Sequence, residues 1–426
     1  MIYRVDSFTE NNINPITNCE YDSTWLVFAL SSDMDTPMIV GTNNGCAYTI
    51  KISKQLHDDW KMAVGDFIGY CDANRINGII AATENEYSEA QNYYVGHSYN
   101  ETFLRDYETP VLVHSTSMEN WIQIKKDSML KSWNKLNIFK KEPIGKQLGD
   151  PVHFSDYIMF GCGVSSENVV NSKQSGKIVM YIDSEYITGA RLYFDAEKIA
   201  KDGLLVRDGA HIKVKDCLPL KPYLIWTATW DNVGLETQIS TPRIFAELSD
   251  EKFEHINHYG QCHICGKHGK LSFEHIPPES ALNNNLTKVY IGEETVKRYK
   301  GKKAYYKNQQ QGMGKYSLCE SCNNNTGTWY ATVHNDIAKE VAYSLQKKSA
   351  LSNGDIFAFR TKNFPALAFV KQVITMFCSL LPYPEDNRLG YDELLLNKES
   401  KDVDKTLFDL RMYLTSANSG QLMVGP

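Results

Sequence analysis

Cys262-His263-Ile264-Cys265, Phe273-Glu274-His275-Ile276-Pro277-Pro278 and Cys319-Glu320-Ser321-Cys322-Asn323-Asn324-Asn325 fall within one stretch of the chain, 262–325. Their reading decides the fold of the C-terminal part. Each Cys-x-x-Cys pair offers two thiolates spaced to grip one edge of a tetrahedral Zn²⁺. Two pairs close a structural site with no open position, so Cys262, Cys265, Cys319 and Cys322 are expected to staple a small domain through zinc. The chain holds ten cysteines in 426 residues. It opens Met1-Ile2-Tyr3-Arg4-Val5-Asp6, without a basic leader and apolar run. That combination suits thiols and metal rather than disulfides, and a cytoplasmic protein.

Between and beside the knuckles lie groups with a different chemistry. Hydrolysis of a phosphodiester needs a base to activate water and a divalent cation to stabilise developing charge. A histidine is the residue type best suited to act as that base near neutral pH, which points to His275. Glu274 supplies a hard carboxylate oxygen, and an asparagine amide oxygen completes a site for Mg²⁺ or Mn²⁺. Neighbours on a strand point to opposite sides, so Glu274 and His275 can serve cation and water separately only if the hairpin is twisted there.

The two knuckles, Glu274-His275-Ile276-Pro277 and the run Leu318-Cys319-Glu320-Ser321-Cys322-Asn323 with Gly327 together resemble the HNH endonuclease family in its zinc-knuckle form, over roughly residues 258–335. The resemblance implies a ββα-metal core, with His275 as general base and Glu274 as metal ligand. It also implies Asn323 as the metal-side residue opening the helix, or Asn324 one position on. It favours DNA as substrate. The family's middle asparagine usually lies a few residues before the second knuckle, where this chain reads Gly312-Met313-Gly314-Lys315-Tyr316. Asn285 and Asn308, in a long hairpin loop from Asn283 to Tyr316, are the candidates to replace it. His255, His258, His263 and His268 crowd the first knuckle and are read as surface or phosphate-contacting groups. His334 is read as packing the following helix.

The formal net charge of −6 excludes a protein that coats nucleic acid through general basicity. Residues 255–349 nevertheless hold 13 Lys and Arg against 7 Asp and Glu. The run Lys297-Arg298 with Lys300-Gly301-Lys302-Lys303 lies inside the long hairpin loop; a solvated loop is its default reading, and phosphate contact the alternative. The most apolar long stretch, Pro365 to Pro382, carries Lys371 and Gln372 at its middle and is short for a bilayer, so it reads as a buried helix and no membrane partner is expected. Cys46, Cys71, Cys162, Cys217 and Cys378 sit among apolar neighbours and read as buried thiols.

Upstream, the fold class reads as a multidomain α+β chain. Residues 1–108 form an α/β domain, with a strand at Trp25–Leu30 and a helix near Trp60–Cys71. Residues 109–245 are strand-rich: Val111-Leu112-Val113, Val152-His153-Phe154 and Ile178-Val179-Met180-Tyr181-Ile182 are expected as strands, with a helix over Ser117–Leu130. Residues 246–426 carry the knuckles and trailing helices, including an amphipathic Val333–Gln346 and a helix started by Pro365. The polar stretch Glu247–Lys252 is the expected boundary. Pro110-Val111-Leu112-Val113-His114-Ser115-Thr116, Val152-His153-Phe154-Ser155-Asp156 and Asp195-Ala196-Glu197-Lys198 resemble the opening, second strand and a later element of ADP-ribosyltransferase-type folds, nearest the tRNA 2′-phosphotransferase branch. That resemblance covers about 109–226. It implies that His114, Ser115 and Thr116 face the nicotinamide-side ribose of NAD⁺ or a related ADP-ribose. The glutamate that catalytic members place before the final Leu-Pro-like turn is replaced here by Ala210-His211-Ile212-Lys213.

Three functions follow as expectations. The first is a metal-dependent endonuclease controlled by its N-terminal domains; fusion to a NAD-type pocket suggests a bacterial antiviral defence or toxin effector. The second is a NAD-dependent ADP-ribosyl- or phosphotransferase with a zinc nucleic-acid-binding domain. The third is a non-catalytic zinc module that binds nucleic acid. One nicking centre per chain would need a homo-oligomer to break both strands together.

Overall fold

The computed structural model describes residues 1–7, 13–22, 24–32, 34–36, 38–41, 47–57, 59–96, 100–105, 107–136, 150–161, 163–284, 286–290, 293–310, 312–346, 364–381 and 391–401. Cys46, Cys162 and Asn285 lie outside them. The chain is a mixed α/β protein divided into two compact units, Met1–Phe253 and Glu254–Pro426.

In the first unit, β1 (Ile2–Val5), β2 (Trp25–Ser31), β3 (Met38–Gly41), β4 (Tyr48–Ser53) and β5 (Asn77–Ala81) form one sheet ordered β1-β5-β2-β4-β3. All its pairings are parallel except β3 with β4. A central parallel strand is covered on both faces, which is why Trp25-Leu26-Val27-Phe28-Ala29 is an unbroken apolar run, buried throughout. Helix α1 (Trp60–Asn74) covers the sheet and is buried from Ala63 to Cys71; α2 (Glu84–Gly96) follows β5.

Beyond residue 108 the unit changes to short antiparallel pieces. These are β6 (Val111–Thr116), α3 (Met118–Asp127), β7 (Met129–Lys131), β8 (Tyr157–Met159), α4 (Ser165–Ser175), β9 (Tyr186–Ile187), β10 (Ala190–Asp195), α5 (Ala196–Lys201), β11 (Leu205–Arg207), β12 (Ile212–Lys215), β13 (Cys217–Pro219), β14 (Leu224–Ala228) and β15 (Ile239–Ser240). They pair as β14-β10-β6, β11-β12-β8, β13-β7 and β15-β9. Two expected strands differ. Val152–Asp156 is a 3₁₀ turn whose Phe154 plugs the first core, with β8 starting just after it. Ile178–Ile182 lies in no strand: Val179 N is taken by Ser172 Oγ, and Met180 and Tyr181 are exposed. Helix α3 starts where Ser117 accepts the Asn120 N–H and ends at Ser128 in the left-handed region. Helix α6 (Pro242–Asn257) contains the point where the two units divide, and Glu247–Lys252 lies within it.

The second unit begins with β16 (Tyr259–Gln261), β17 (His268–His275), β18 (Thr287–Val289), α7 (Glu293–Tyr299), β19 (Lys307–Gln309) and β20 (Gly314–Cys319). Helix α8 (Glu320–Thr326) then runs through a π-helical turn, Gly327–Ala331, into α9 (Thr332–Gln346). Helices α10 (Ala366–Leu380) and α11 (Tyr391–Leu396) complete the described part. The core joins the knuckle to these helices: Cys262, Ile264, Leu271, Leu318 and Cys322 pack with Ile374, Cys378, Leu394 and Leu395. Lys371, in the middle of the apolar stretch, is buried yet satisfied, because its ammonium donates to Asn397 O at 3.0 Å and Lys398 O at 3.2 Å. No described helix is long and apolar enough to cross a membrane.

Candidate metal and hydrolytic centre

The two knuckles meet. The sulfurs of Cys262, Cys265, Cys319 and Cys322 all lie within 4.8 Å of one another, with Cys265 and Cys319 at 3.9 Å. The first knuckle is a tight turn in which Gly266, at φ +71°, lets its N–H reach Cys262 O while Cys262 N donates to Lys267 O. Cys319 ends β20 and stands just before α8, so the second pair straddles a strand-to-helix junction. Four thiols packed this closely cannot all ionise without a cation between them. Donor type, number and spacing fit a structural Zn²⁺. Among the other cysteines, Cys71 and Cys378 are buried and Cys217 is half-buried.

From this staple runs the hairpin that carries the candidate catalytic pair. β17 pairs antiparallel with β20, Leu271 opposite Cys319 and His275 opposite Gly314, and the register slips between Ser272 and Phe273. Such an irregularity increases local twist and re-aims side chains. It lies just before Phe273; from Phe273 to His275 the pairing is regular again, so Glu274, buried, and His275, half-buried beside the Phe273 ring, still alternate across the strand. Gly314 is required opposite them: a Cβ there would lie 2.3 Å from Glu274 O and 2.6 Å from the Phe273 ring. The Phe273 ring in turn meets His275 edge-on at 5.0 Å.

Glu274 is 8 % exposed, and its carboxylate has no hydrogen-bond or ion-pair partner among the described residues. Burial pushes its pKa up to about 7. A buried carboxylate without a donor is costly, and a divalent cation is one group that would relieve it. Asn323 is drawn to the same place: its Nδ2 donates to Ser272 Oγ at 3.0 Å and to Phe273 O at 3.2 Å, across the slipped register and next to Glu274. Asn324 is exposed and lies on α8 one residue on. Of the two asparagines that the sequence leaves open, Asn323 is the one that hydrogen-bonds the hairpin, at Ser272 and Phe273.

A residue the sequence reading did not single out closes the loop. Asn283 donates from Nδ2 to Pro277 O at 2.6 Å and to Met313 O at 2.7 Å, and its Oδ1 accepts from Met313 N at 2.7 Å. This side chain therefore ties both ends of the long loop two residues beyond His275. Gly312, at φ +86°, has room for no Cβ, which would sit 2.0 Å from Asn283 O. Asn308 lies instead in β19, opposite Lys288. The only signal for Asn283 was its place at the start of the loop.

Three of the four histidines around the first knuckle have structural partners. His263 Nδ1 donates to Cys378 O at 2.9 Å, His268 lies 3.1 Å from Glu254, and His258 stacks face to face on Tyr316 at 3.5 Å. His334 stacks on Phe369.

The other predicted pocket is largely filled by the protein itself. Ser115 Oγ donates to Glu167, which also accepts from Tyr186 at 2.6 Å and from the buried Arg191 at 3.3 Å. Thr116 is buried. His114 Nδ1 lies 3.0 Å from Met159 O, and burial lowers its pKa to about 4. Two cavities of about 270 and 590 Å³ in this unit are lined by other residues, among them Lys51 and Thr83 in one and Met62 and Tyr107 in the other. Asp208 and His211 do pair, at 3.1 Å, but the carboxylate is shared with the fully buried Lys213.

Comparison of the chain with known protein families, with curated proteins and with solved structures returned no match in any of the three.

Proposed function

We propose that the second unit is a metal-dependent endonuclease of the HNH type, hydrolysing phosphodiester bonds of nucleic acid, DNA first among them. The observation that carries this reading is the buried carboxylate of Glu274, without a partner among the described residues and adjacent in sequence to His275, on the hairpin that ends at the four cysteines. Glu274 and Asn323 would hold Mg²⁺ or Mn²⁺, which supplies charge stabilisation at the phosphate when bound. His275 accepts the proton of the attacking water, whose oxygen bonds to phosphorus as the bond to the leaving sugar oxygen breaks. Asn323 holds α8 against the hairpin at the register slip, and so keeps Glu274 at a fixed distance from the helix. Zinc at the four cysteines is structural and leaves the chemistry to this neighbouring site.

The test is cleavage of supercoiled plasmid by the purified full chain with Mg²⁺ or Mn²⁺, wild type against His275→Ala. Loss of a general base costs roughly 10²–10⁴-fold in rate, while all four zinc ligands remain. Equal cutting by the two proteins, at equal zinc content, would sink the proposal.

A further inference from the structure

Between the neck at Asn283 and Gly312 the chain builds a small arm. Strand β18 pairs with β19, Thr287 opposite Gln309 and Val289 opposite Lys307, and α7 lies between them. Residues 286–310 carry seven Lys and Arg against two Glu, in a chain whose net charge is −6. A solvated loop ordinarily mixes its charges. Here Glu294 is consumed locally, accepting from Lys297 at 2.6 Å and from Tyr305 N at 2.7 Å. Arg298, Lys300, Lys302 and Lys303 are exposed and have no acidic partner among the described residues. The arm also presents an aromatic face: Tyr305 is 75 % exposed, while Tyr306 carries Lys288 Nζ 4.3 Å over its ring and meets the Tyr290 ring at 5.7 Å. Cations around an open tyrosine ring match a phosphodiester backbone carrying unstacked bases or sugars. An acidic protein surface would have no need of the ring.

We propose that this arm is a clamp for the nucleic-acid backbone, latched by Asn283 so that the polymer it holds passes beside Glu274 and His275. The proposal rests on the nuclease reading for its setting, while its test needs no cleavage. Phosphate contacts made by Lys and Arg release counterions, so the logarithm of affinity falls with the logarithm of salt by about 0.9 per neutralised phosphate.

The experiment measures binding by fluorescence anisotropy across a salt series, using full-length, zinc-loaded His275→Ala protein without added Mg²⁺ or Mn²⁺. The probes are duplex DNA, single-stranded DNA and single-stranded RNA of one length. They are compared with the same protein carrying Lys300→Glu, Lys302→Glu and Lys303→Glu, whose solvent-facing positions leave the core untouched; zinc content and circular dichroism verify folding. The expected result is at least about tenfold weaker binding in the charge-reversed protein, with a salt slope shallower by roughly 2–3, on whichever polymer the parent prefers. A preference for single strands would assign Tyr305 to base stacking, and a preference for duplex would assign the lysines to groove-edge phosphates; either supports the clamp. Identical affinity and slope in the two proteins on all three polymers, or no binding by the parent, would overturn it and leave the arm to an acidic protein or to solvent. If the wild type fails to cut while the arm-dependent slope is present, the nuclease reading falls and the clamp stands.

Discussion

The first unit buries several paired charges, whereas the second gathers four thiols at one point of its core. In the first, Arg105 is held by Asp66 at 2.6 Å and Glu101 at 2.8 Å, Arg207 by Glu108, Lys213 by Asp208, and Arg191 by Glu167 and Asp250. Each of these cations is 7 % exposed or less. They sit around two extended apolar cores, one built on the parallel sheet and one on β6, β10 and β12. In the second unit strands β17 and β20 and helices α8, α10 and α11 share one small cluster, of which cysteines are a large part. The difference teaches where each unit's stability comes from. Paired charges in a large core are complete once the chain has folded, whereas a core made partly of clustered thiols is complete only with a cation among them.

The largest effect expected from this contrast follows loss of a zinc ligand. Metal binding to such sites is worth about 10–16 kcal/mol and is in effect folding energy. Cys322→Ala should therefore unfold the second unit, with rapid amide exchange along β17 and β20, while exchange along β2 and β4 stays protected. Equal protection of both in the variant would remove zinc from the account.

Arg105→Ala should act on the other unit alone. It strands two buried carboxylates, a loss of about 3–5 kcal/mol. Burial already pushes Asp66 up to about 6 against the pull of Arg105, so the variant should take up a proton there near neutrality. The melting temperature of the first unit should drop by several degrees with zinc content unchanged; a drop of less than a degree would show that the pair is dispensable.

Acid gives the smallest of the three effects. Burial holds His114 and His153 neutral, each with its pKa lowered to about 4. The unfolded chain gains those protons near pH 6.5 and the folded chain only near pH 4. The first unit should thus be fully stabilised above pH 6.5 and lose roughly 3 kcal/mol per histidine as pH falls from 6.5 to 4. In His114→Gln, denaturant midpoints should fall less over that window; an unchanged pH profile would contradict the assignment.

Much of the second unit could be read in the sequence because its chemistry is local. Cys-x-x-Cys fixes a turn and a ligand pair by itself, and Pro365 and the period of Val333–Gln346 mark helices that the structure contains. The register slip between Ser272 and Phe273 was not legible, since it depends on Tyr316 and Leu318 across the hairpin. The role of Asn283 was hidden because its partners, Pro277 and Met313, are 6 and 30 residues away. In the first unit, Val111-Leu112-Val113 read correctly as a strand, but nothing nearby announced that Ser115 would be taken by Glu167, 52 residues on. Ile178–Ile182 misled because apolar content alone does not place a run in a ladder; there Ser172 binds its backbone instead.

The most direct measurement is the Mn²⁺ dependence of nucleic-acid cleavage by wild type and Glu274→Gln, in proteins shown to hold equal zinc. The substitution keeps the shape of a buried side chain and removes its charge. The account predicts saturable, Mn²⁺-dependent cutting by the wild type and a loss of about 10²-fold or more in the variant at every Mn²⁺ concentration. Equal rates and equal Mn²⁺ dependence would contradict it, and would place any hydrolysis outside the Glu274–His275 hairpin.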